Sequence, residues 1–451
     1  MRSNGRRLVA TAGVLAVVGG TLVGSAGAAV ATPASSKAIT TADLQEIASY
    51  TGSKLGAAKS SLKPVELGYV NQQGGAVSFP EYTTEVKALV TLLNTKLGGI
   101  DGHPIKLDSC YVVSSDQDGQ SCGQQFAADR SLHAVLEFPL INGAASFHQV
   151  MDPTKVPLFG PIAASVNDAT APYGFYDTAA ALTTTPLLVR YVTQKLKVKS
   201  VAVVGIQGNA LSQLTTASAV QAFNKAKVTA KLALISATSS DATAPLVAAG
   251  AQSAGAIVAL VADAGQCDSV AQTLKSLGLT SKPVVTLDIC SDPAVKAALG
   301  DYPTWTYLSG WPSLNAPPID AREAKEVKVV EDLFKSLGSP TGDTAYTEPS
   351  AQGVLTAVRE INAAGGATST PASIVTAAKA DKGPMFLGPN TTAWGKIPGL
   401  TGVPNLDQRV FTYEGGGKWI DAVGGWYSAP PSAPPTGAPP GGAPPAGAPP
   451  A

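Results

Sequence analysis

The residues best placed for chemistry lie in short polar loops, each following an apolar run. Val65–Val70 ends in Asn71-Gln72-Gln73-Gly74-Gly75. Ala134–Phe138 leads to Asn142-Gly143-Ala144-Ala145-Ser146, and Val156–Phe159 to Gly160-Pro161-Ile162-Ala163-Ala164-Ser165. Val201–Ile206 leads to Gln207-Gly208-Asn209-Ala210, Ala256–Val261 to Asp263-Ala264-Gly265, and Val284–Ile289 carries Asp288. Side-chain amides, small residues and isolated carboxylates suit non-covalent recognition. Free amides at a helix N-terminus bind an anion without a basic side chain. A cleft carboxylate holds a cation that would be costly to desolvate unpaired. Ordinary tight turns give the same composition, and Ser146 or Asp288 could equally serve as helix caps, Asp288 lying just before Ser291, Asp292 and Pro293.

Covalent chemistry finds no such support. His103, His133 and His148 form no H-E-x-x-H and show no metal spacing, so no metal ligand is expected. Beyond residue 31 there is no G-x-S-x-G. Gly205-x-x-Gly208 falls short of a dinucleotide fingerprint. The expectation is a non-enzyme with no catalytic residue and no cofactor.

The loops need elements to hold them. Val86, Leu89, Val90, Leu93 and Leu97 recur at helical steps after Ser78-Phe79-Pro80-Glu81, which has the form of a capping box. Gly98-Gly99 stops that helix, and Ile105–Val113 begins another strand. This is a βαβ unit with a polar loop at the carboxyl end of its first strand, where ligands bind in open α/β sheets. Lys231–Ile235 completes the set of strand-like runs, and helical patterns lie between most of them, which implies parallel sheets covered on both faces.

The turn Gly98-Gly99-Ile100-Asp101-Gly102, set between two strands and followed by Asp108, resembles the opening of the type I periplasmic solute-binding proteins, the group that includes the leucine/isoleucine/valine-binding proteins. The resemblance implies an α/β fold of two Rossmann-like lobes with parallel sheets, joined by a three-crossing hinge. It implies ligand binding by Asn71, Gln72, Asn142, Gly143, Ala144, Ile162, Ala163, Asn209, Asp263 and Asp288. Loops after the third and fourth strands would hold a ligand carboxylate, and Asp288 falls where relatives pair an acid with the ligand ammonium. Two departures stand out. Gly208-Asn209 replaces a Tyr-Gly, and Asp263 stands where an aromatic is often found. A standard branched-chain amino-acid pocket is therefore not expected, and Tyr173 and Tyr176 are candidates for walls or for hinge packing.

The 451 residues divide unevenly. Arg2, Arg6 and Arg7 before the apolar run Leu8–Val23, then small residues, read as a signal peptide over 1–31. Without it the chain has an excess of about three acids, which argues against a nucleic-acid partner. Residues 32–60 read as a linker, 61–180 as the first part of lobe 1, 181–304 as the first part of lobe 2, 305–368 as a return to lobe 1 and 369–427 as a return to lobe 2. The Pro/Gly/Ala-rich tail, 428–451, reads as extended and without a core, a possible contact with the cell wall. Cys110, Cys122, Cys267 and Cys290 imply two disulfides in an exported chain. Of three pairings, Cys110–Cys122 with Cys267–Cys290 is favoured, because it keeps each bridge within one lobe. No cysteine precedes Cys110, so the lipid-receiving cysteine common in exported Gram-positive relatives is missing. Two functions follow: the solute-binding protein of an ABC-type importer, taking an amino acid or related zwitterion, or a secreted or wall-associated ligand sensor on the same fold.

Overall fold

The computed structural model describes residues 39–428 except 76, 208–209, 237–240, 262, 314 and 338–345. The expectations for the signal peptide, for Asn209 and for the tail beyond residue 428 lie outside the described residues. The first lobe is built on β1 (Val65–Gln72), β2 (Ile105–Val112), β3 (Leu132–Glu137), β4 (Leu158–Ile162) and β5 (Gly174–Thr178). They pair in parallel in the order β2-β1-β3-β4-β5. Its helices are α1 (Thr41–Thr51), α2 (Pro80–Lys96), α3 (Asp116–Ala128), α4 (Ala144–Met151) and α5 (Val166–Thr170). The second lobe starts with α6 (Ala180–Tyr191) and carries β6 (Ser200–Gln207), β7 (Thr229–Ser236), β8 (Ala256–Ala259), β9 (Val284–Leu287) and β10 (Thr306–Ser309). Between them run α7 (Ala210–Lys225), α8 (Thr243–Ala248), α9 (Ala264–Ser276) and α10 (Pro293–Leu299). The chain then returns to the first lobe as α11 (Ala321–Leu337), α12 (Thr347–Ala363) and α13 (Pro371–Ala380). It closes on the second sheet with β11 (Asp407–Tyr413), β12 (Trp419–Asp421) and β13 (Tyr427–Ser428). β11 pairs antiparallel with β10, β12 and β13, so the closing hairpin edges an otherwise parallel sheet.

Alternation along buried strands places one core on each face of each sheet. In β6, Ala202, Val204 and Ile206 enter one core, and Val201 and Val203 the other. α12 is buried along nearly its whole length and lies on β4. A Cβ at Gly353 would stand 3.0 Å from the Pro161 nitrogen, so glycine lets helix and strand approach.

Three hinge crossings join the lobes. The first follows β5, because Leu187, Leu188 and Tyr191 of α6 pack in the second lobe. The second runs from β10 to α11. The third lies between Val403, in the first core, and β11, with Leu406 packed against both lobes. A buried ion network spans the crossings: Arg409 of β11, fully buried, donates to Glu323 of α11 at 2.5 and 2.6 Å and to Asp421 at 2.9 Å. Trp311 Nε1, beyond β10, donates to Gln352 Oε1 of α12 at 2.6 Å.

Several expectations need correction. Residues 40–51 are part of lobe 1, not of a linker: α1 has a capping box between Thr40 and Asp43, and Ile47 is fully buried against the first core. The return to lobe 1 starts after β10, which hydrogen-bonds into the second sheet, so it does not begin at 305. It continues through Ile374, Phe386 and Trp394, so the final return to lobe 2 begins near 407, not 369. Ser78 does not cap α2. Pro80 takes its first position after Phe79, and the Ser78 hydroxyl instead accepts from the Gly74 amide at 3.0 Å.

Candidate functional site

Many of the polar groups in the loops at the carboxyl ends of the two sheets are already engaged within the protein. Gln72, fully buried at the end of β1, accepts from the amides of Ile141 and Asn142 at 2.7 and 2.9 Å. It clamps the loop after β3 to the loop after β1. Asn71, equally buried, donates to the Phe79 carbonyl at 2.6 Å and to Thr83 Oγ1 at 3.2 Å. The amide of fully buried Ala163 donates to the Thr178 carbonyl at 2.9 Å, and Ile162 pairs with Thr178 in register. The next amides, Ala164 and Ser165, donate to Asp168 Oδ2 at 2.8 and 3.0 Å. The loop after β4 therefore spends its amides on its own cap.

α4 differs. It starts at Ala144 after Gly143, which is left-handed at φ 71°, and it has no side-chain cap. Its first-turn amides, Ala144 to Ser146, have no intrahelical partner. α3 packs close beneath, since a Cβ at Gly119 would stand 2.1 Å from the Gly143 carbonyl oxygen. Tyr176 is buried in the first core, and Tyr173 lies 5.5 Å from the Lys379 ammonium.

The second lobe supplies carboxylates. Asp263 is exposed and caps α9, accepting from the Gln266 amide at 2.9 Å. Asp292 caps α10, accepting from Ala294 at 2.7 Å. Asp288 caps neither. It is half-buried at the end of β9, and its Oδ2 accepts from Ser309 Oγ at 2.7 Å. Burial pushes Asp288 up to about 6, against the stabilising Ser309 bond. Burial also raises Asp292, and burial with the charges of Asp263 and Asp292 raises Asp268. Among the described residues none of these four carboxylates forms an ion pair. The Cys267–Cys290 disulfide ties α9 to the turn bearing Asp288, and Cys110–Cys122 ties β2 to α3; both pairings are the favoured ones.

Aromatic rings of the first lobe lie within electrostatic reach of three of these acids, Asp263, Asp288 and Asp292. Tyr82 and Tyr346 pack edge to face at 5.0 Å, with Phe79 at 6.1 and 6.5 Å from them. Burial pushes Tyr346 up to about 12, helped by Glu81 and then by Asp292, Asp263 and Asp288 of the other lobe. Tyr82 is raised by burial, and Tyr346 and Asp288 add to that.

Sequence reasoning missed two features. The Phe79–Tyr82–Tyr346 cluster unites residues more than 260 positions apart, and no local pattern announces it. Beneath the loops after β3 and β4, Glu137, His148 and Asp168 converge with Tyr176. Only the four-residue step from His148 to Asp152 was visible in the sequence. Burial opposes the charge on His148, but Glu137, Asp152 and Asp168 outweigh it and push the ring up to about 12.

The periplasmic binding protein family model matches residues 64–332. By sequence, no curated protein matches the chain. Solved structures do. An ABC transporter substrate-binding protein from Sphaerobacter thermophilus is 15% identical with a TM-score of 0.65, over 81% of this chain and 98% of that one. The leucine binding protein LivK from Thermotoga maritima is 12% identical with a TM-score of 0.60, over 81% and 98%. A solute binding protein from R. palustris, in complex with 4-hydroxybenzoate, is 14% identical with a TM-score of 0.62, over 82% and 98%. With two α/β lobes, three crossings and a family match across more than half its length, the chain belongs to the type I periplasmic binding protein family, a family of non-enzymatic solute-binding proteins.

Proposed function

We propose that this protein works outside the cytoplasm as the solute-binding component of an ABC-type importer, and that its lobes close on a small ligand with a cationic group. The observation that carries the reading is an acidic wall of Asp263, Asp288 and Asp292, without an ion pair among the described residues, within electrostatic reach of Tyr346, with Asp288 also reaching Tyr82. An amino acid or related zwitterion fits this wall. Its ammonium meets Asp288, and its carboxylate meets the uncapped first turn of α4 at Ala144 to Ser146. Asn71, Gln72, Ile162 and Ala163 then act as frame, while Asn142, Gly143 and Ala144 border the ligand. Native mass spectrometry of the full-length protein, purified without denaturant, tests the reading. A co-purified 1:1 ligand containing a basic nitrogen is expected, and a bound molecule without one contradicts it.

A second reading, a secreted ligand sensor on the same fold, draws on all four cysteines being paired, which leaves none of them for a lipid thioether. Pull-down of a permease by the ligand-loaded protein favours the importer. Ligand binding with release into the medium and no permease contact favours the sensor.

A further inference from the structure

Glu137, His148 and Asp168 are each 2% exposed, and they come from β3, α4 and α5. His148 Nε2 lies 3.2 Å from Asp168 Oδ1, 3.4 Å from Glu137 Oε1 and 3.4 Å from the Tyr176 hydroxyl. A ring N–H bonded to a carboxylate settles at about 2.7–2.9 Å, and one N–H cannot serve three oxygens well. Spacings of 3.2 to 3.4 Å are instead those between neighbouring ligands around a tetrahedral ion, whose bonds are about 2.0–2.1 Å long. Glu137 Oε1, buried, has no hydrogen-bond partner.

Each of the three side chains is also held from behind. His148 Nδ1 is 3.2 Å from Asp152 Oδ1. The Tyr176 hydroxyl donates to Glu137 Oε2 at 2.5 Å. The Ala164 and Ser165 amides hold Asp168 Oδ2, the far oxygen, while Ser165 Oγ donates to Oδ1 on the near side. A carboxylate on the far nitrogen of a ligating histidine, and hydrogen bonds on the far oxygens of ligating carboxylates, are how proteins orient metal ligands. Charge agrees. Among the described residues the ion pairs of these carboxylates are with His148 alone, so two deeply buried carboxylates share one imidazole.

We propose that Glu137 Oε1, His148 Nε2 and Asp168 Oδ1 form a buried structural site for one divalent cation of the zinc class, with the Tyr176 hydroxyl at the open corner. One imidazole and two carboxylates suit zinc better than calcium or magnesium, and the absence of thiolate disfavours softer ions. Metal replaces the proton on Nε2, so loading releases one proton to solvent. The ion would fasten α4 and α5 to β3 and β5, directly under the first-lobe loops of the cleft.

Full-length protein produced with zinc in the medium, then dialysed against a chelator, is assayed for metal by plasma mass spectrometry. About one zinc per chain is expected. Cobalt loaded in its place should give the intense visible bands of a four-coordinate N/O site. Glu137→Gln keeps an acceptor for Tyr176 but removes a charged ligand, and should weaken zinc at least tenfold, on the order seen for lost ligand contacts. His103→Gln should change nothing. The proposal is overturned if wild-type protein holds no zinc, or if Glu137→Gln holds it as well as wild type. Should Glu137→Gln fail to fold, the nitrogen NMR spectrum of wild-type His148 decides. A metal-bound neutral ring supports the site, and two ring N–H protons in zinc-treated protein overturn it.

Discussion

In the proposed recognition Asp288 meets the ligand's ammonium, and its carboxylate caps no helix. Asp292 caps the next helix, and Ser309 holds Asp288 in place. Asp288→Asn should lower affinity for the co-purified ligand by about 1.5–3 kcal/mol, the scale of a charge-assisted hydrogen bond. Calorimetry measures this, and Tm should barely move. Since Asp288 gains its charge near pH 6, affinity for a cation should rise from about pH 5 to 7 in the wild type and stay flat in Asp288→Asn. Gln72 has the opposite character. Gln72→Ala strands the amides of Ile141 and Asn142 and should cost roughly 1–3 kcal/mol of stability, read by urea denaturation. Gln72→Glu should recover part of it. Both residues were legible as loop positions, because a polar segment after an apolar run marks a strand end. Their roles were not legible. Whether a side-chain amide faces a ligand or a neighbouring loop depends on residues some 70 positions away.

Elements were legible where burial wrote a pattern. Eight strands of the two parallel sheets were found from apolar runs, with ends displaced by a few residues. β5 was missed because its buried residues include Asp177 and Thr178, which break the apolar run. α13 and the turns up to Trp394 were assigned to the wrong lobe. That stretch is rich in Pro and Gly and has little periodicity, and only packing against the first core decides its place. The hinge network was equally hidden, since Arg409 and Glu323 read as surface charges on a strand and a helix. Removing one partner of a buried pair is costly, so Arg409→Ala should lose about 3–5 kcal/mol in a denaturant titration. Arg409→Met with Glu323→Leu should recover part of it, because that pair of charges then leaves together while Asp421 keeps the Val423 and Gly424 amides. The Cys267–Cys290 bridge, 23 residues apart, should contribute about 3 kcal/mol in the chain-entropy model. Replacing both cysteines by serine should also weaken ligand binding, since the bridge holds the Asp288 turn.

At the scale of the molecule, buried acids set the response to pH. Burial pushes Glu326 and Glu360 up to about 7; Asp381 adds to the shift of Glu360, and Arg359 opposes it. A folded state that keeps a proton longer than the unfolded chain is most stable at low pH. It loses that advantage as pH climbs from the unfolded value near 4.5 through about 7. The ligand-free Tm should therefore fall between about pH 5 and 8, and Glu360→Gln should flatten that slope. A cationic ligand works the other way, binding better as Asp288 ionises. In the proposed function two lobes close on a cationic group held by Asp288. The most direct measurement is a thermal-shift panel of amino acids, simple amines and carboxylates lacking nitrogen, run on wild type and Asp288→Asn at neutral pH. Only compounds bearing an ammonium should raise Tm, and Asp288→Asn should lose the response. Stabilisation by plain carboxylates, or an equal response from the variant, would contradict it.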